Sequence, residues 1–378
     1  MIEQPLNTKT ILMQPNRNPA VDLIRALALI GIAVVNLPFL GLPADALFQP
    51  PSALIDRAAA LVVEWLFQAK FFLLFSFIFG WGMEIQSRSA RRAGASFARR
   101  FARRLAMLAA LGVLHALFVF TGDILLLYAL LGLLAWAVQG AKPRTLLSLA
   151  CALLPIAALS IGALALSMAN LPLPPPEPNL GGTYAETVLT RLRDWPQTFL
   201  FLALFQGPLA LAAFLVGIAA ARSGFFDAGN AAAIGLRQAA PALLATGLAV
   251  NAFYVLGGVM SSTVPLLGLL GFCSLALGAP LLSAAYLGLI LRLADHVRLP
   301  EFMVLAGRNS LSSYVLQGIL AGFVFGGYGL GLFDRIGQFV LIPLAVAIAL
   351  LSMALVASAA RSSGQAPLER LLRRVTYD

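Results

Sequence analysis

The residues best suited to chemistry are a histidine and an aspartate eight positions apart, His115 and Asp123. His115 is the one histidine inside an apolar run, and Asp123 follows Thr121-Gly122 in the short turn between two such runs. A carboxylate beside an imidazole fixes its tautomer and stabilises its cation, as general base catalysis requires. Asp123 has a second interpretation as the N-cap of the helix that it opens. We expect the two side chains to meet, and both roles of Asp123 stay open.

A second polar group lies near the C-terminal end of the chain. Ser310, Ser313, Tyr314 and Gln317 recur at the i, i+3, i+4, i+7 spacing of one helix face. Such a stripe in a membrane helix must face other helices or a cavity rather than lipid. Arg308 precedes the stripe and is suited to clamping a phosphate or a carboxylate. The stripe is interpreted as a cavity wall, with ordinary interhelical hydrogen bonding as the alternative.

Four other polar residues lie within apolar runs, where an ionisable group is costly and usually pairs or acts. A buried Asn36 must find hydrogen-bonding partners, either on a neighbouring helix or in a site. Lys70 either extends to the headgroups, faces an anionic substrate or polarises a carbonyl. Asp22 and Arg25 are three residues apart on one helix face and are interpreted as a structural ion pair.

Other types of site find no support in the sequence. We find no P-loop, dinucleotide fingerprint, HExxH or GxSxG motif, and no serine or cysteine is marked as a nucleophile. The two cysteines, Cys151 and Cys273, are interpreted as buried packing residues. We therefore expect no metal and no permanently bound cofactor. Any chemistry is expected to be direct transfer assisted by a general base.

The composition defines the class of protein that must position these residues. Of the 378 residues 60% are hydrophobic and 11% are charged, with a mean hydropathy of +0.89. The apolar residues fall in runs of the length that a helix needs to cross about 30 Å of hydrocarbon. The net charge of +10 comes largely from arginines at the ends of these runs, which indicates anionic lipid headgroups rather than nucleic acid. The fold class is therefore all-α, a polytopic membrane protein.

About ten transmembrane helices are predicted, with both termini cytoplasmic. Arginine-rich connections, above all Arg88–Arg104, fall on one side in this arrangement, as the positive-inside rule requires. His115 and Asp123 then lie towards the other side. The predicted helices are 21–40, 70–87, 105–120, 123–139, 145–168, 198–221, 237–259, 264–291, 308–326 and 336–360.

The domain organisation follows from these segments. Residues 1–20 are predicted to be a polar tail, 21–360 a single transmembrane domain and 361–378 a basic cytoplasmic tail. Residues 54–69 are expected to lie at the outer interface or to lengthen the second helix. Residues 170–197 form the longest polar stretch and are predicted to be an outer loop with one short surface helix. No internal repeat is visible, which counts modestly against a carrier.

Several of these stretches resemble the YeiB-like bacterial membrane proteins. The similar segments are VDLIRALALIGIAVVN, KFFLLFSFIFGWGMEI, LGVLHALFVFTGDILLLYALLG, AGRNSLSSYVLQGIL and the closing PLERLLRRVTY. They span nearly the whole chain, and the histidine with an aspartate eight residues later is the most specific element. One departure is Ala26, which stands where the family usually has glycine after Arg25.

The resemblance implies a location in the bacterial cytoplasmic (inner) membrane and a kinship with polytopic acyltransferases. These include the lysosomal enzyme that acetylates heparan glucosamine from acetyl-CoA. It further implies an acyl-CoA-type donor on one side, a small-molecule, lipid or sugar acceptor on the other, and a membrane-embedded histidine base, here His115. The alternative is a transporter or lipid-handling protein without covalent chemistry, because proton-coupled carriers also use buried His and Asp. A homodimer is compatible with either reading.

Overall fold

The chain is all-helical throughout the part that the computed structural model describes, residues 18–170 and 181–377. The helices are α1 Pro19–Gly41, α2 Ala44–Phe48, α3 Leu54–Leu66, α4 Lys70–Arg92, α5 Phe97–Phe118, α6 Leu125–Val138, α7 Pro143–Asn170, α8 Tyr184–Arg222, α9 Ala231–Met260, α10 Pro265–Leu293, α11 Glu301–Arg308, α12 Ser310–Phe325, α13 Gln338–Ala360 and α14 Pro367–Tyr377. Each of the ten predicted membrane helices has a counterpart among them.

The membrane class is confirmed by the length and apolar character of these helices. Within the described ranges, eight helical segments are long and apolar enough to cross a membrane, one of them running through α3 and α4. The shorter apolar helices α6 and α12 coincide with the other two predicted spans but are below the length of these eight segments. Which side of the membrane each end faces stays a prediction.

The predicted arginine loop is shorter than expected, because most of its arginines lie on helices. α4 continues to Arg92 and α5 begins at Phe97, so residues 93–96 alone connect them. Arginine is a good helix former, and the Ser96 side chain caps α5 by accepting from the Arg99 amide at 3.4 Å. Gly94 has φ of +61°, the conformation that glycine adopts readily at a helix end. We call this end of the bundle the arginine-rich end.

One further predicted boundary is wrong. The predicted surface helix of the outer loop is continuous with its neighbouring span, because α8 runs unbroken from Tyr184 to Arg222 through Pro196. Membrane helices tolerate such prolines where neighbouring groups satisfy the freed carbonyl. The predicted helix 308–326 is confirmed as α12, and a separate short helix, α11, precedes it and ends at Arg308. Of the predicted loop, 171–180 lies outside the described residues, as does most of the predicted N-terminal tail.

Close helix packing positions the centre of the bundle. α4 and α8 approach each other at two glycines, where a Cβ on Gly80 would collide with the Phe214 backbone and one on Gly217 with that of Phe77. Small residues at helix interfaces allow such approach in membranes, where dispersion contacts replace the hydrophobic effect. The contact fixes α4 beside α8.

A buried ion network closes the arginine-rich end. Glu84 is buried and accepts from Arg88 at 3.2 Å and from Arg222 at 3.0 Å. Arg222 also donates to the backbone carbonyls of Gln139 and Ala141 just after α6. The Glu84 carboxylate thus links α4 to α8, and Arg222 extends the link to the end of α6. Sequence reasoning missed it because Glu84 and Arg222 are far apart in the chain.

The predicted basic tail contains a docked helix, α14. Glu369 accepts from the Ser312 amide at 3.0 Å and from its hydroxyl at 2.5 Å, at the start of α12. Asn309 accepts from the Ala366 amide at 2.7 Å. Farther along, the Tyr377 ring lies 4.9 Å from the guanidinium of Arg100 on α5. The C-terminal segment is therefore held against α5 and the α11–α12 break.

Candidate functional site

The centre of the candidate site is the contact between His115 and Asp123, at the end of the bundle where α5 ends and α6 begins. We call this the histidine end. The imidazole Nδ1 lies 2.9 Å from Asp123 Oδ1, and both side chains are buried. An ionised carboxylate only accepts hydrogen bonds, so this contact favours the tautomer with the proton on Nδ1, in which Nε2 of the neutral ring presents its lone pair. The expected meeting of the two side chains is what the structure shows, whereas their catalytic role stays a prediction.

Asp123 holds the imidazole and caps α6 at the same time. Its Oδ2 accepts from the amides of Leu125 at 2.8 Å and Leu126 at 3.3 Å, the unpaired donors at a helix start. Gly112 leaves room for this arrangement, because a Cβ there would lie 2.9 Å from Oδ2. The two alternative roles of Asp123 are therefore both present.

Tyr314 brings α12 to the pair. Its hydroxyl donates to Asp123 Oδ1 at 3.5 Å, and its ring lies 5.1 Å from the imidazole. Gly318, one turn later, would place a Cβ 3.0 Å from His115 Nε2. The Nε2 side of the imidazole therefore faces α12 at Gly318.

A small cavity adjoins this face of His115. Its volume is about 20 Å³, room for one water molecule, and Nε2 is buried with no hydrogen bond to a described residue. The walls come from α1, α5, α12 and α13, with Phe120 from the α5–α6 connection. They are Ala33, Asn36, Leu37, Leu40, His115, Phe120, Tyr314, Gln317, Gly318, Ala321 and Ile348.

Four predicted site residues thus line one cavity: His115, Asn36, Tyr314 and Gln317. Gln317 also donates to the Leu29 carbonyl at 3.4 Å, which ties α12 to α1. Within the polar stripe, the cavity-wall reading fits Tyr314 and Gln317. Ser313 instead returns its hydroxyl to the Asn309 carbonyl at 3.1 Å, and Ser310 is partly exposed at the start of α12.

The structure does not bring Lys70 into the cavity. Its side chain is 0% exposed, so it does not extend to the headgroups. Its Nζ donates to the Glu64 carbonyl at 3.0 Å and lies 5.9 Å from the Tyr254 ring. The Lys70 side chain therefore contacts α3 and α9, and its backbone carbonyl accepts from Ser283 on α10.

Arg308 lies at the arginine-rich end, near the predicted ion pair. The residue before it, Gly307, would place a Cβ 3.3 Å from the Asp22 carbonyl oxygen and 3.5 Å from Arg25 Cβ. These cationic and anionic groups gather where α1 begins and α11 ends. Arg308 ends α11, whereas Tyr314 lies on α12 beyond the break at Asn309, and Arg308 does not line the cavity.

Sequence reasoning missed one buried charged residue at the C-terminal end of α5, the helix that carries His115. Arg191, near the start of α8, is buried and donates from Nη1 to the Phe118 carbonyl at 3.1 Å. The Tyr184 hydroxyl donates to the same oxygen at 3.0 Å. Phe118 is the last residue of α5, one turn beyond His115. The signal available was an arginine inside a long polar stretch, and only the fold shows that it is buried.

Metal and cysteine chemistry find no further support among the described residues. There, no group of three or more His, Cys, Asp or Glu side chains is placed to hold a metal ion. The prediction that both cysteines are buried is wrong for Cys151, which is exposed on the surface of α7, while Cys273 is partly buried. A cysteine facing lipid carries no cost, since its thiol is weakly polar.

The fold and the site together define a polytopic α-helical membrane protein with a buried histidine–aspartate pair. Residues 220–378 match the family described as "Protein of unknown function (DUF418)". The chain is 26% identical to the uncharacterized protein YxaH of Bacillus subtilis, across 94% of this chain and 93% of that protein. It is 36% identical to the uncharacterized protein YeiB of Escherichia coli, over 32% of this chain and 30% of that protein. No solved structure matches. The predicted resemblance to the YeiB-like family is thereby confirmed.

Proposed function

We propose that this protein is a membrane acyltransferase in which His115 acts as the general base. The observation that carries the proposal is the buried contact between His115 Nδ1 and Asp123 Oδ1, which leaves Nε2 as an acceptor facing a cavity. A general base must present an unprotonated nitrogen within reach of the substrate, and its partner must hold the tautomer.

The proposed reaction is direct transfer without an acyl-enzyme. His115 Nε2 takes the proton of an acceptor hydroxyl or amine as that atom attacks the thioester carbonyl carbon. The new carbon–oxygen or carbon–nitrogen bond forms, and the carbon–sulfur bond breaks. The imidazolium returns the proton to the leaving thiolate. Asp123 stays ionised and stabilises the imidazolium during the step.

The other cavity residues have supporting roles in this scheme. Asn36 and Gln317 line the cavity and carry amide groups suited to holding the acyl carbonyl oxygen as charge develops on it. Lys70 receives no role here, because it does not line the cavity. Arg308 and the arginine-rich end attract a phosphate-bearing donor such as acyl-CoA from the cytoplasm. The proposed setting is the bacterial inner membrane, with the histidine end outside.

The test uses the two histidines of the chain, His115 and the exposed His296. Purified protein in nanodiscs is incubated with acetyl-CoA carrying a labelled acetyl group and a bacterial lipid and sugar extract. Thiol release and label transfer are measured together. His115→Asn keeps a donor towards Asp123 but loses the base. We expect it to lower transfer about 10²–10⁴-fold while the melting temperature stays near that of the wild type.

The control is His296→Asn, which is expected to transfer at the wild-type rate. Undiminished transfer by His115→Asn contradicts the base assignment. Uptake of a labelled solute into proteoliposomes without covalent change, abolished by His115→Asn, instead favours the transporter.

A further inference from the structure

Arg191 is a buried cation at the histidine end that the proposed reaction does not use. Its side chain is 4% exposed, and its one hydrogen bond among the described residues goes to the Phe118 carbonyl. Thr187 and Thr190 on the neighbouring turn are also buried. The first turns of α8 therefore present a polar face to the bundle near the end of α5.

The charge of Arg191 is not neutralised by an acidic side chain of the described chain. None of its Asp or Glu residues lies within ion-pair distance of Arg191. Arg193, two residues on, differs: it is 60% exposed and lies 2.8 Å from Asp194. The partial negative charge at the C-terminus of α5 offsets only part of a full charge.

A buried arginine without a counter-charge is costly, because the guanidinium stays protonated under all ordinary conditions. It carries five N–H donors in a planar fork that fits a carboxylate, phosphate or sulfate group. One of these donors is used on Phe118. The rest suit an oxyanion that arrives from outside the protein.

An oxyanion bound by Arg191 would lie near the end of α5, the helix that carries His115. Phe118 is three residues beyond His115, about 5 Å along the helix. Tyr184 holds the same carbonyl and also packs edge-on against Tyr328 in the connection after α12, at 5.2 Å. The Gly327 amide donates to the Gly182 carbonyl at 3.0 Å. The segment that leads into α8 and the connection after α12 thus contact each other at the histidine end.

We propose that Arg191 binds an oxyanion group of the acyl acceptor at the histidine end, while the nucleophilic group of the same molecule reaches His115. The acceptor is then an anionic molecule, a phosphorylated, sulfated or carboxylated polyol, sugar or lipid headgroup. Its oxyanion and its hydroxyl or amine lie roughly 5–10 Å apart, one to two helical turns. This inference rests on the proposed function for the identity of the molecule as an acceptor.

The test measures anion binding without turnover. Thermal unfolding of purified protein in a neutral detergent is followed with added sodium phosphate, or with short-chain phosphatidylglycerol, against sodium chloride of equal ionic strength. A ligand that binds the folded state raises the melting temperature by mass action. We expect a rise for the wild type and for the matched control Arg193→Gln. Arg191→Gln is expected to lose it, with the apparent affinity falling about tenfold or more.

The two anions distinguish the source of the oxyanion. An Arg191-dependent rise with phosphate indicates a soluble acceptor, and one with phosphatidylglycerol alone indicates a lipid. Phosphate stabilises many proteins by exclusion from their surface, so only the difference between Arg191→Gln and Arg193→Gln counts.

Equal shifts in both variants overturn the inference and leave Arg191 as a cap of α5. Arg191→Lys, which keeps the charge without the fork, replaces Arg191→Gln if the latter does not fold, and is expected to retain a reduced shift. Absence of acetyl transfer by the wild type would instead overturn the proposed function, with the anion shift intact.

Discussion

At the residue scale, the two carboxylate oxygens of Asp123 bind different partners. Oδ2 caps α6 through Leu125 and Leu126, while Oδ1 orients His115. A carboxylate that is already fixed by a helix terminus needs no further ordering to hold an imidazole. One carboxylate therefore both caps α6 and holds the His115 ring.

Gly318 is the residue whose substitution tests the space in front of the base. Gly318→Ala would place a methyl group 3.0 Å from His115 Nε2 and 2.8 Å from Val119 Cγ1. We expect acyl transfer to fall strongly and the free energy of unfolding to fall by about 1–3 kcal/mol, the usual cost of overpacking. Thermal unfolding and the labelled-acetyl assay measure the two effects.

The control for this substitution is Gly207→Ala on α8. Gly207 is buried, but a Cβ there meets no atom within 4 Å. Stability is expected to stay equal or to rise by up to about 1 kcal/mol, because alanine favours the helix. Similar losses in both variants would show that the effect is unrelated to the imidazole.

At the scale of elements, α14 supports the helix that carries Tyr314 and Gln317. The Glu369 carboxylate takes up the Ser312 amide at the start of α12, and the Ser312 hydroxyl in turn accepts from the Leu368 amide at 3.3 Å. Each helix thus satisfies unpaired donors of the other. The C-terminal helix is in this way linked to the site from the arginine-rich end.

Removal of this link should loosen the C-terminal segment. Glu369→Ala is expected to lower the free energy of unfolding by about 1.5–3 kcal/mol, the range for hydrogen bonds to a charged group. Limited trypsin digestion should also release the segment beyond Arg361 faster than in the wild type. Glu301→Ala, at an exposed position that starts α11, serves as the control. Unchanged digestion of Glu369→Ala would refute the link.

The helices can be predicted from the sequence more completely than the candidate site can. Long apolar runs reveal every membrane helix, because a helix is the only open-chain structure that satisfies its backbone in lipid. The predicted helix ends are wrong where arginines continue a helix, as in α4 and α5, because arginine is a good helix former. The His115–Asp123 contact is predictable because eight residues and a tight turn separate the partners. Arg191 and Glu369 are not, because their partners lie 73 and 57 positions away.

At the scale of the whole molecule, the two ends of the bundle differ in chemistry. One holds the Glu84–Arg222 network and the arginines of α4 and α5, and the other holds His115. The positive-inside rule assigns the first to the cytoplasm. In the proposed reaction, the donor would come from the arginine-rich end and the acceptor from the histidine end, where the cavity lies.

Cysteine labelling tests this orientation. In a background with Cys151→Ala and Cys273→Ala, single cysteines are placed at Ser96, between α4 and α5, and at Thr263, between α9 and α10; both positions are exposed. A membrane-impermeant maleimide added to intact spheroplasts should label Thr263→Cys alone, and Ser96→Cys only after permeabilisation. The reverse pattern would invert the topology and place His115 on the cytoplasmic side.

The order in which the chain is synthesised determines when the parts of the candidate site come together. His115 and Asp123 are synthesised close together, and the tight turn between α5 and α6 lets them meet once that hairpin has formed. Gln317 and Ile348, two walls of the cavity, follow some two hundred residues later, and domains form progressively from the N-terminus during synthesis. The imidazole is therefore in place before most walls of the cavity beside it. In the proposed reaction, a substrate would have a place to bind only after α12 and α13 have joined the bundle.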